Sequence, residues 1–430
     1  MTRQWIMKIA LVLCALMQLV CSDNVGTGKA ELSLRVEDVS CTEVWLQIST
    51  RNSIHSRIVL TRDTVTLDTL ILTTNEMTFV DDNLLPSHRY TYTARFMDGA
   101  MSSSVEIRTL DTTSHAISWS VDTLGDLGVI RDVWIFDRND AIAVGEIYLR
   151  DSGGQIDMSQ CYNAAKWNGK TWELMRVPFT GSCSAVMYPT IRAIYAFSEN
   201  NIWFARGGSL VHYDGTNYYN DCSINSLLTG SINKLWGSSS SDLYAVGNNG
   251  LIAHYDGRSW SKQESGTNVD LNDIYGLDGS HVWAVGTEGD YSRSVILYYD
   301  GKSWNKLYEG SYYGFNSIWT ERQTRIYITG DSGPYQLTVN DLVFHQLNTP
   351  ARYVMYCVRG TGECDIFYTG QNSEITHFNG MTYHLYEDVQ GMTEKNVWWQ
   401  CIKVMNNSMI AGGSYYTGLY SAPVILRGYR

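Results

Sequence analysis

One pattern recurs from about His115 to the C-terminus, and a repeated unit constrains a fold more than composition does. Its clearest copies begin Ile232-Asn233-Lys234-Leu235-Trp236 and Leu271-Asn272-Asp273-Ile274-Tyr275. The first continues through Leu243-Tyr244-Ala245-Val246-Gly247 and Ile252-Ala253-His254-Tyr255 to Asp256-Gly257-Arg258-Ser259-Trp260. The second continues through Val282-Trp283-Ala284-Val285-Gly286 and Leu297-Tyr298-Tyr299 to Asp300-Gly301-Lys302-Ser303-Trp304. Weaker copies open at Ile130-Arg131-Asp132-Val133-Trp134, Ile191-Arg192-Ala193-Ile194-Tyr195, Phe315-Asn316-Ser317-Ile318-Trp319, Tyr353-Val354-Met355-Tyr356 and Val397-Trp398-Trp399. The glycine position is held by Gly145, Arg206, Gly247, Gly286, Gly330, Gly370 and Gly413, at spacings of 61, 41, 39, 44, 40 and 43. A period near 42 residues with four strand-like pieces is that of a β-propeller blade.

Within a unit, Asn168-Gly169, Asp214-Gly215, Asp256-Gly257, Asp300-Gly301 and Asn379-Gly380 read as hairpin turns in which glycine supplies a positive φ. The aromatic residue that follows (Trp172, Tyr218, Trp260, Trp304, Tyr383) reads as packing between blades. The last unit stops at Val424–Arg430 without a fourth strand, and the missing piece resembles Ile117-Ser118-Trp119-Ser120, ahead of the first unit. The N-terminal strand is therefore expected to complete the C-terminal blade, removing two open edges. That gives a seven-bladed propeller over 115–430 closed by strand 117–120, with six blades as the alternative count. Composition agrees with an all-β fold: 37 Gly, 29 Tyr and 14 Trp stand beside only 6 Pro.

The formal net charge is −12, and removal of Arg3 and Lys8 with an N-terminal segment makes the chain more acidic. No basic stripe offsets this, so nucleic acid is not an expected partner. Residues 1–21 read as an export signal, with an apolar run over Ile9–Val20 too short for a stable membrane span. Cys21 ends that run and is followed by Ser22, Asp23 and Asn24. The arrangement resembles a bacterial lipoprotein signal, which implies Cys21 as the lipid-bearing residue and a cell-envelope location at the outer membrane or cell surface. Leu19 and Val20 depart from the small residues of that signal, and ordinary secretion is the alternative. The membrane would be reached only through the lipid.

After a linker over 22–29, residues 30–113 carry short alternating strands at Glu31–Val36, Glu43–Ser49, Ser56–Thr61, Met77–Asp81, Tyr90–Met97 and Ser103–Thr109. That is the pattern of a small β-sandwich. Leu84-Leu85-Pro86-Ser87-His88-Arg89-Tyr90 resembles the Leu-x-Pro-Gly-x-x-Tyr segment of fibronectin type III domains, with Tyr90 as corner tyrosine. Ile48 stands where that family places a core Trp. The repeat region resembles kelch-like and related propellers of secreted bacterial proteins, a resemblance that implies fold and little about activity.

No catalytic constellation emerges. Asp81-Asp82 and Asp137…Asp140 read as solvated turn residues, and no His-x-x-x-His, Gly-x-Ser-x-Gly or metal-ligating Cys spacing occurs. His212 and His254 share one repeat position and read as strand-surface residues. No cofactor and no metal are expected. In a propeller the b–c and d–a loops share one face, and the long segments Glu146–Ala164, Thr287–Ser294, Asp331–Tyr335 and Gly413–Ala422 meet Pro178–Thr190 and Gly310–Gly314 there. They carry Tyr162, Tyr188, Tyr291, Tyr312, Tyr313, Tyr335, Tyr415 and Tyr416 as a possible ligand face. Cys161 with Cys183, and Cys357 with Cys364, are possible disulfides. These features point to a non-catalytic envelope or surface scaffold that presents its loop face to a protein or glycan. The alternatives are a carbohydrate-active enzyme of glycoside hydrolase or lyase type, which would need acids converging at the channel mouth, and an assembly factor.

Overall fold

The structure, a computed structural model, describes residues 30–52, 56–99, 101–181, 185–220, 224, 227, 230–290, 292–311, 313–339, 342–387, 389, 391–392, 395–418 and 420–430. The signal segment with Cys21, and also Cys183, Tyr291 and Tyr312, lie outside the described residues. The chain forms two compact units that divide between Asp111 and Thr112.

The smaller unit has seven strands in two antiparallel sheets. One holds Glu31–Val39, Val44–Arg51 and Glu76–Asp81. The other runs Val65–Ile71, Arg57–Arg62, Arg89–Phe96, Ser102–Arg108. Inward residues alternate along the strands, so that Val44, Leu46, Ile48, Ile58, Leu60, Tyr92 and Ala94 form a shared core. Ile48 fills its core position completely. Tyr90 Oη accepts the Leu85 backbone N–H at 2.9 Å, a short-range tie at the corner before its strand. The strand Val65–Ile71 was not expected: it is an edge strand whose side chains are mostly exposed, so burial imposes no hydrophobic alternation on it. Asp81 corrects the reading as a solvated turn residue. It is buried, paired with the Arg62 guanidinium at 2.9 Å, and accepts the Tyr92 hydroxyl at 2.6 Å. Burial and then the Asp81 carboxylate push the Tyr92 phenol well above its ordinary range.

The larger unit contains seven four-stranded antiparallel meanders, here called blades 1–7, with strands a to d from the centre outward. Their inner strands are Leu127–Asp137, Ala193–Ser198, Ile232–Ser239, Leu271–Asp278, Ser317–Arg322, Met355–Gly362 and Val397–Met405. Each inner strand lies against the next, and that of blade 7 against that of blade 1, so the series closes into a ring. The outer strand of blade 7 is Ser118–Thr123, paired from Tyr429↔Ser118 to Val424↔Thr123. A hairpin of Phe179–Gly181 and Ala185–Met187 stands in the segment read from sequence as a plain insert.

The turn logic is local. Asp256 Oδ1 accepts the backbone N–H of Arg258 at 2.9 Å and of Ser259 at 2.8 Å, and Gly257 takes φ +89° between them. Asp300, Asp214, Asn168 and Asn379 repeat this arrangement. Aromatic side chains of strand d fill the space between blades: Trp260 of blade 3 meets Trp203 of blade 2, and Trp304 of blade 4 meets Tyr244 of blade 3. The strand-c histidines also repeat. His212 bonds Asn201 and stacks on Trp203, His254 bonds Asp242 and packs on Tyr244, and His377 bonds Asp365 and stacks on Phe367.

Two expected disulfides do not form. Cys161 is a buried free thiol whose Sγ lies 3.3 Å from the Tyr162 carbonyl oxygen, turned inward and away from the loop face. Cys357 is also a buried free thiol, while Cys364 is disulfide-bonded elsewhere. Cys357 pairs across its hairpin with Thr369, whereas Cys364 sits in the turn beyond Gly362↔Asp365. At about 3.3 Å per residue that places the two far beyond the roughly 7 Å limit for a bridge.

Candidate functional site

Aligned copy by copy, the inner strands contribute three positions each along the channel, here called tiers, and most of these residues line its two cavities. Nearest the b–c/d–a face stand Arg131, Arg192, Asn233, Asn272, Asn316, Tyr356 and Gln400. Next come Asp132, Ala193, Lys234, Asp273, Ser317, Cys357 and Cys401, and deeper still Trp134, Tyr195, Trp236, Tyr275, Trp319, Arg359 and Lys403.

The upper tier projects because of a β-bulge. In blades 1, 3, 4, 6 and 7 the register slips between strands a and b, leaving Arg131, Asn233, Asn272, Tyr356 and Gln400 as unpaired extra residues. Opposite the bulge stands the repeat glycine, and it must be glycine. A Cβ on Gly286 would lie 1.9 Å from the Asp270 carbonyl oxygen. Blade 2 carries Arg206 at this place, and its inner strand begins only at Ala193, paired with Ala205. The arginine at the glycine position therefore goes with a withdrawn strand start beside Arg192.

The upper tier divides into two arcs. In blades 3, 4 and 5 the asparagines tie each blade to the next: Asn233 Nδ2 donates to the Leu271 carbonyl at 2.9 Å, Asn272 Nδ2 to Phe315 at 2.9 Å, and Asn316 Nδ2 to Met355 at 3.2 Å. In blades 6, 7, 1 and 2, contiguous through the closure, the same positions are Tyr356, Gln400, Arg131 and Arg192. Among the described residues neither Arg131 nor Arg192 makes a hydrogen bond or ion pair through its side chain. Burial, and then the positive charge of Arg192, push the Arg131 guanidinium down, with Glu146 acting in the opposite direction. A cavity of about 90 Å³ lies below this mouth, lined by the upper tier together with Lys234, Asp273, Ser317, Cys357 and Arg359.

The middle tier is electrostatically committed. Asp132 pairs with Lys234 at 2.7 Å and accepts the Ile194 backbone N–H from blade 2 at 3.1 Å. Asp273 holds Arg359 with two bonds of 2.8 and 2.9 Å and accepts the Ile318 backbone N–H from blade 5 at 2.9 Å. Both carboxylates in the channel are thus spoken for by a cation and a backbone amide. For Asp273, burial acts upward, but the Arg359 charge and hydrogen bond outweigh it and hold the carboxyl below its ordinary range. Among the described residues no group of three or more His, Cys, Asp or Glu is placed to hold a metal ion.

The rim above the variant arc is aromatic and basic. Trp398 is 46% exposed and 6.3 Å from Tyr356, ring centre to ring centre, with Tyr353 also exposed. Tyr416 is 65% exposed, Lys395 lies over Tyr415 at 4.8 Å, and Arg150 over Tyr420 at 5.6 Å. Arg176 sits 4.4 Å from the Tyr162 ring and 5.8 Å from that of exposed Tyr188. Four of the expected tyrosines, Tyr162, Tyr188, Tyr415 and Tyr416, therefore share this rim. Two others do not belong to an open ligand face. Tyr335 is buried, and Tyr313 is stacked against both Phe315 and Phe344 with Tyr335 at its edge, because an apolar d–a segment here folds into the core. Sequence reasoning missed Arg131, Arg192, Tyr353, Trp398 and Tyr420. The signal was present for the arginines: aligned inner strands show Asn in three copies and Arg in two.

On the opposite face a cleft of about 520 Å³ opens between blades 7 and 1. Its cations are already engaged, Arg138 on the Tyr429 ring at 3.6 Å and Arg427 with Asp122 at 2.9 Å.

No family model matches the chain, and no curated protein matches it. Solved structures do. A structure of YCF48 bound to D1 peptide aligns with a TM-score of 0.54 at 15% identity, covering 73% of this chain and 97% of that one. The larger unit is a β-propeller. The WD40 β-propeller domain of Doa1 aligns at a TM-score of 0.52 and 12% identity, over 73% of this chain and 97% of that one. YCF48 from Cyanidioschyzon merolae aligns at 0.50 and 11%, over 72% and 98%. At these identities the likeness concerns the fold.

Proposed function

We propose that the chain is a non-catalytic binding scaffold that docks a protein partner on the propeller face carrying the channel mouth, over blades 6, 7, 1 and 2. The observation that carries this reading is the replacement of the structural asparagines by Tyr356, Gln400, Arg131 and Arg192, with two cations left unpaired in a protein of net charge −12. Unpaired guanidiniums in a half-enclosed mouth favour a ligand carrying carboxylates, and the surrounding exposed aromatics favour peptide contact. The YCF48 structure with a D1 peptide supports a peptide partner by likeness of fold alone. The engagement of Asp132 and Asp273 in ion pairs counts against a glycosidase-type site, which needs carboxylates free to exchange protons.

The same reading takes the protein as exported and held at a bacterial cell envelope through a lipid on Cys21, with kelch-like repeats and a fibronectin type III-like sandwich as spacer. A glycan ligand is the second reading, favoured by the exposed tyrosines and Trp398. Selection of a random peptide library on the full chain, with a glycan array in parallel, separates the two. Enrichment of acidic peptides whose binding falls tenfold or more in Arg131→Ala/Arg192→Ala is the expected result. Glycan binding without peptide enrichment replaces it with the second reading.

A further inference from the structure

Below the mouth the channel narrows to a chamber of about 30 Å³, lined by Asp132, Trp134, Tyr195, Lys234, Trp236, Tyr275, Arg359 and Lys403 among others. Its charges do not balance. Asp132 is matched by Lys234 and Asp273 by Arg359, which leaves Lys403 as a cation without a counter-charge. Among the described residues its Nζ has no hydrogen-bond acceptor, and it lies 3.7 Å from the Trp134 ring centre. Of the other ionisable neighbours, Cys357 and Cys401 are buried free thiols; burial pushes the Cys401 thiol well up and the Tyr195 and Tyr275 phenols up, so these supply no anion.

A surplus positive charge in such a chamber is relieved in one of two ways: the amine loses its proton, or an anion joins it. Burial, followed by the charges of Arg359 and Lys234, already pushes the Lys403 amine down to about 7, against the pull of Asp132. The space matters here, because a cavity needs only about 10–15 Å³ of this kind to hold one water-sized occupant. The chamber is therefore large enough for one halide-sized ion and too small for a sugar or a peptide side chain. We propose that the channel midsection is a binding site for a small monovalent anion of halide size, held by Lys403 with Arg359 and Lys234 behind it and the Trp134 ring below. This site is separate from the docking face, and neither depends on the other.

The test is thermal unfolding of the full chain at pH 7 in sodium gluconate, chloride or bromide at equal ionic strength, gluconate being too large for the chamber. The native chain is expected to melt roughly 2 °C or more higher in chloride or bromide, with saturation on titration. Lys403→Met should lose that difference, and Lys170→Met, at an exposed turn, should keep it. A melting temperature that follows ionic strength alone, or an anion-specific rise that survives Lys403→Met, overturns the proposal. Should Lys403→Met not fold, crystals of the native chain grown in bromide decide the matter. Anomalous density at Lys403 Nζ supports the site, and a channel without it overturns it.

Discussion

The two arcs of the channel mouth present the same upper-tier position, on a bulge in five of the seven blades, and do opposite things with it. Blades 3 to 5 spend the projecting residue on the fold: Asn233, Asn272 and Asn316 each reach the backbone of the next blade. Blades 6, 7, 1 and 2 present Tyr356, Gln400, Arg131 and Arg192 instead, and blade-to-blade attachment there rests on other groups, such as Asp132 holding Ile194. The variant arc also contains the ring's seam, where Ser118–Thr123 completes blade 7. Once the scaffold is closed by repeated contacts, a few positions can depart from the inter-blade asparagine, and the departing positions are contiguous. In a repeat fold, departures from the consensus mark function more clearly than the consensus does.

The largest effect is expected at Asp273, in the regular arc. Asp273→Ala leaves Arg359 buried without its partner and frees the Ile318 amide, so a loss of about 3–5 kcal/mol in denaturant unfolding is expected. Next comes the glycine opposite the bulge. Gly286→Ala pushes a methyl against the Asp270 carbonyl and should cost about 1–3 kcal/mol. Arg206→Gly, at the same place in blade 2, should cost no more than about 1 kcal/mol. A smaller contrast sharpens the division of labour. Asn272→Ala should lose about 1 kcal/mol with the inter-blade hydrogen bond. Arg192→Ala should leave stability within about 0.5 kcal/mol while weakening partner binding. The smallest effect concerns the seam and pH. His115 Nδ1 lies 2.8 Å from His377 Nδ1. Burial, then His377, His384 and Arg430, lower the His115 imidazole from 6.5 to about 4. Because the unfolded chain binds this proton first, the neutral-ring contribution is complete above about pH 6.5 and is lost as pH falls toward 4. His115→Gln should reduce the fall of the melting temperature across that window, the lowered His377 and His212 imidazoles keeping part of it.

Much of the larger unit was legible in the sequence, because a repeat displays its strand order, turns and inter-blade aromatics several times over. Blade 7 and its closure could be read because the missing fourth strand left a visible gap at Arg430 and a surplus strand near Trp119. The edge strand Val65–Ile71 could not, since an exposed edge selects for no pattern. The tyrosines misled where burial, not residue type, decides their role: Tyr313 and Tyr335 enter an aromatic cluster with Phe315 and Phe344, which are distant in sequence and meet at blade 5. Cys161 and Cys357 misled for the same reason, since nearness in a loop diagram does not report which way a side chain turns. The missing step was the bulge for Arg131 and the late start of the inner strand for Arg192. Without it, nothing in the strand period distinguishes a residue aimed at the channel mouth from one facing a neighbouring blade.

The division between the arcs is decided by binding of one library-selected acidic peptide to three forms of the full chain: native, Arg131→Ala/Arg192→Ala, and Asn233→Ala/Asn272→Ala. The two-arc account predicts that the arginine pair loses tenfold or more in affinity with its melting temperature kept, while the asparagine pair melts lower and binds as the native chain does. Equal loss of binding in both pairs, or a loss only in the asparagine pair, would contradict it.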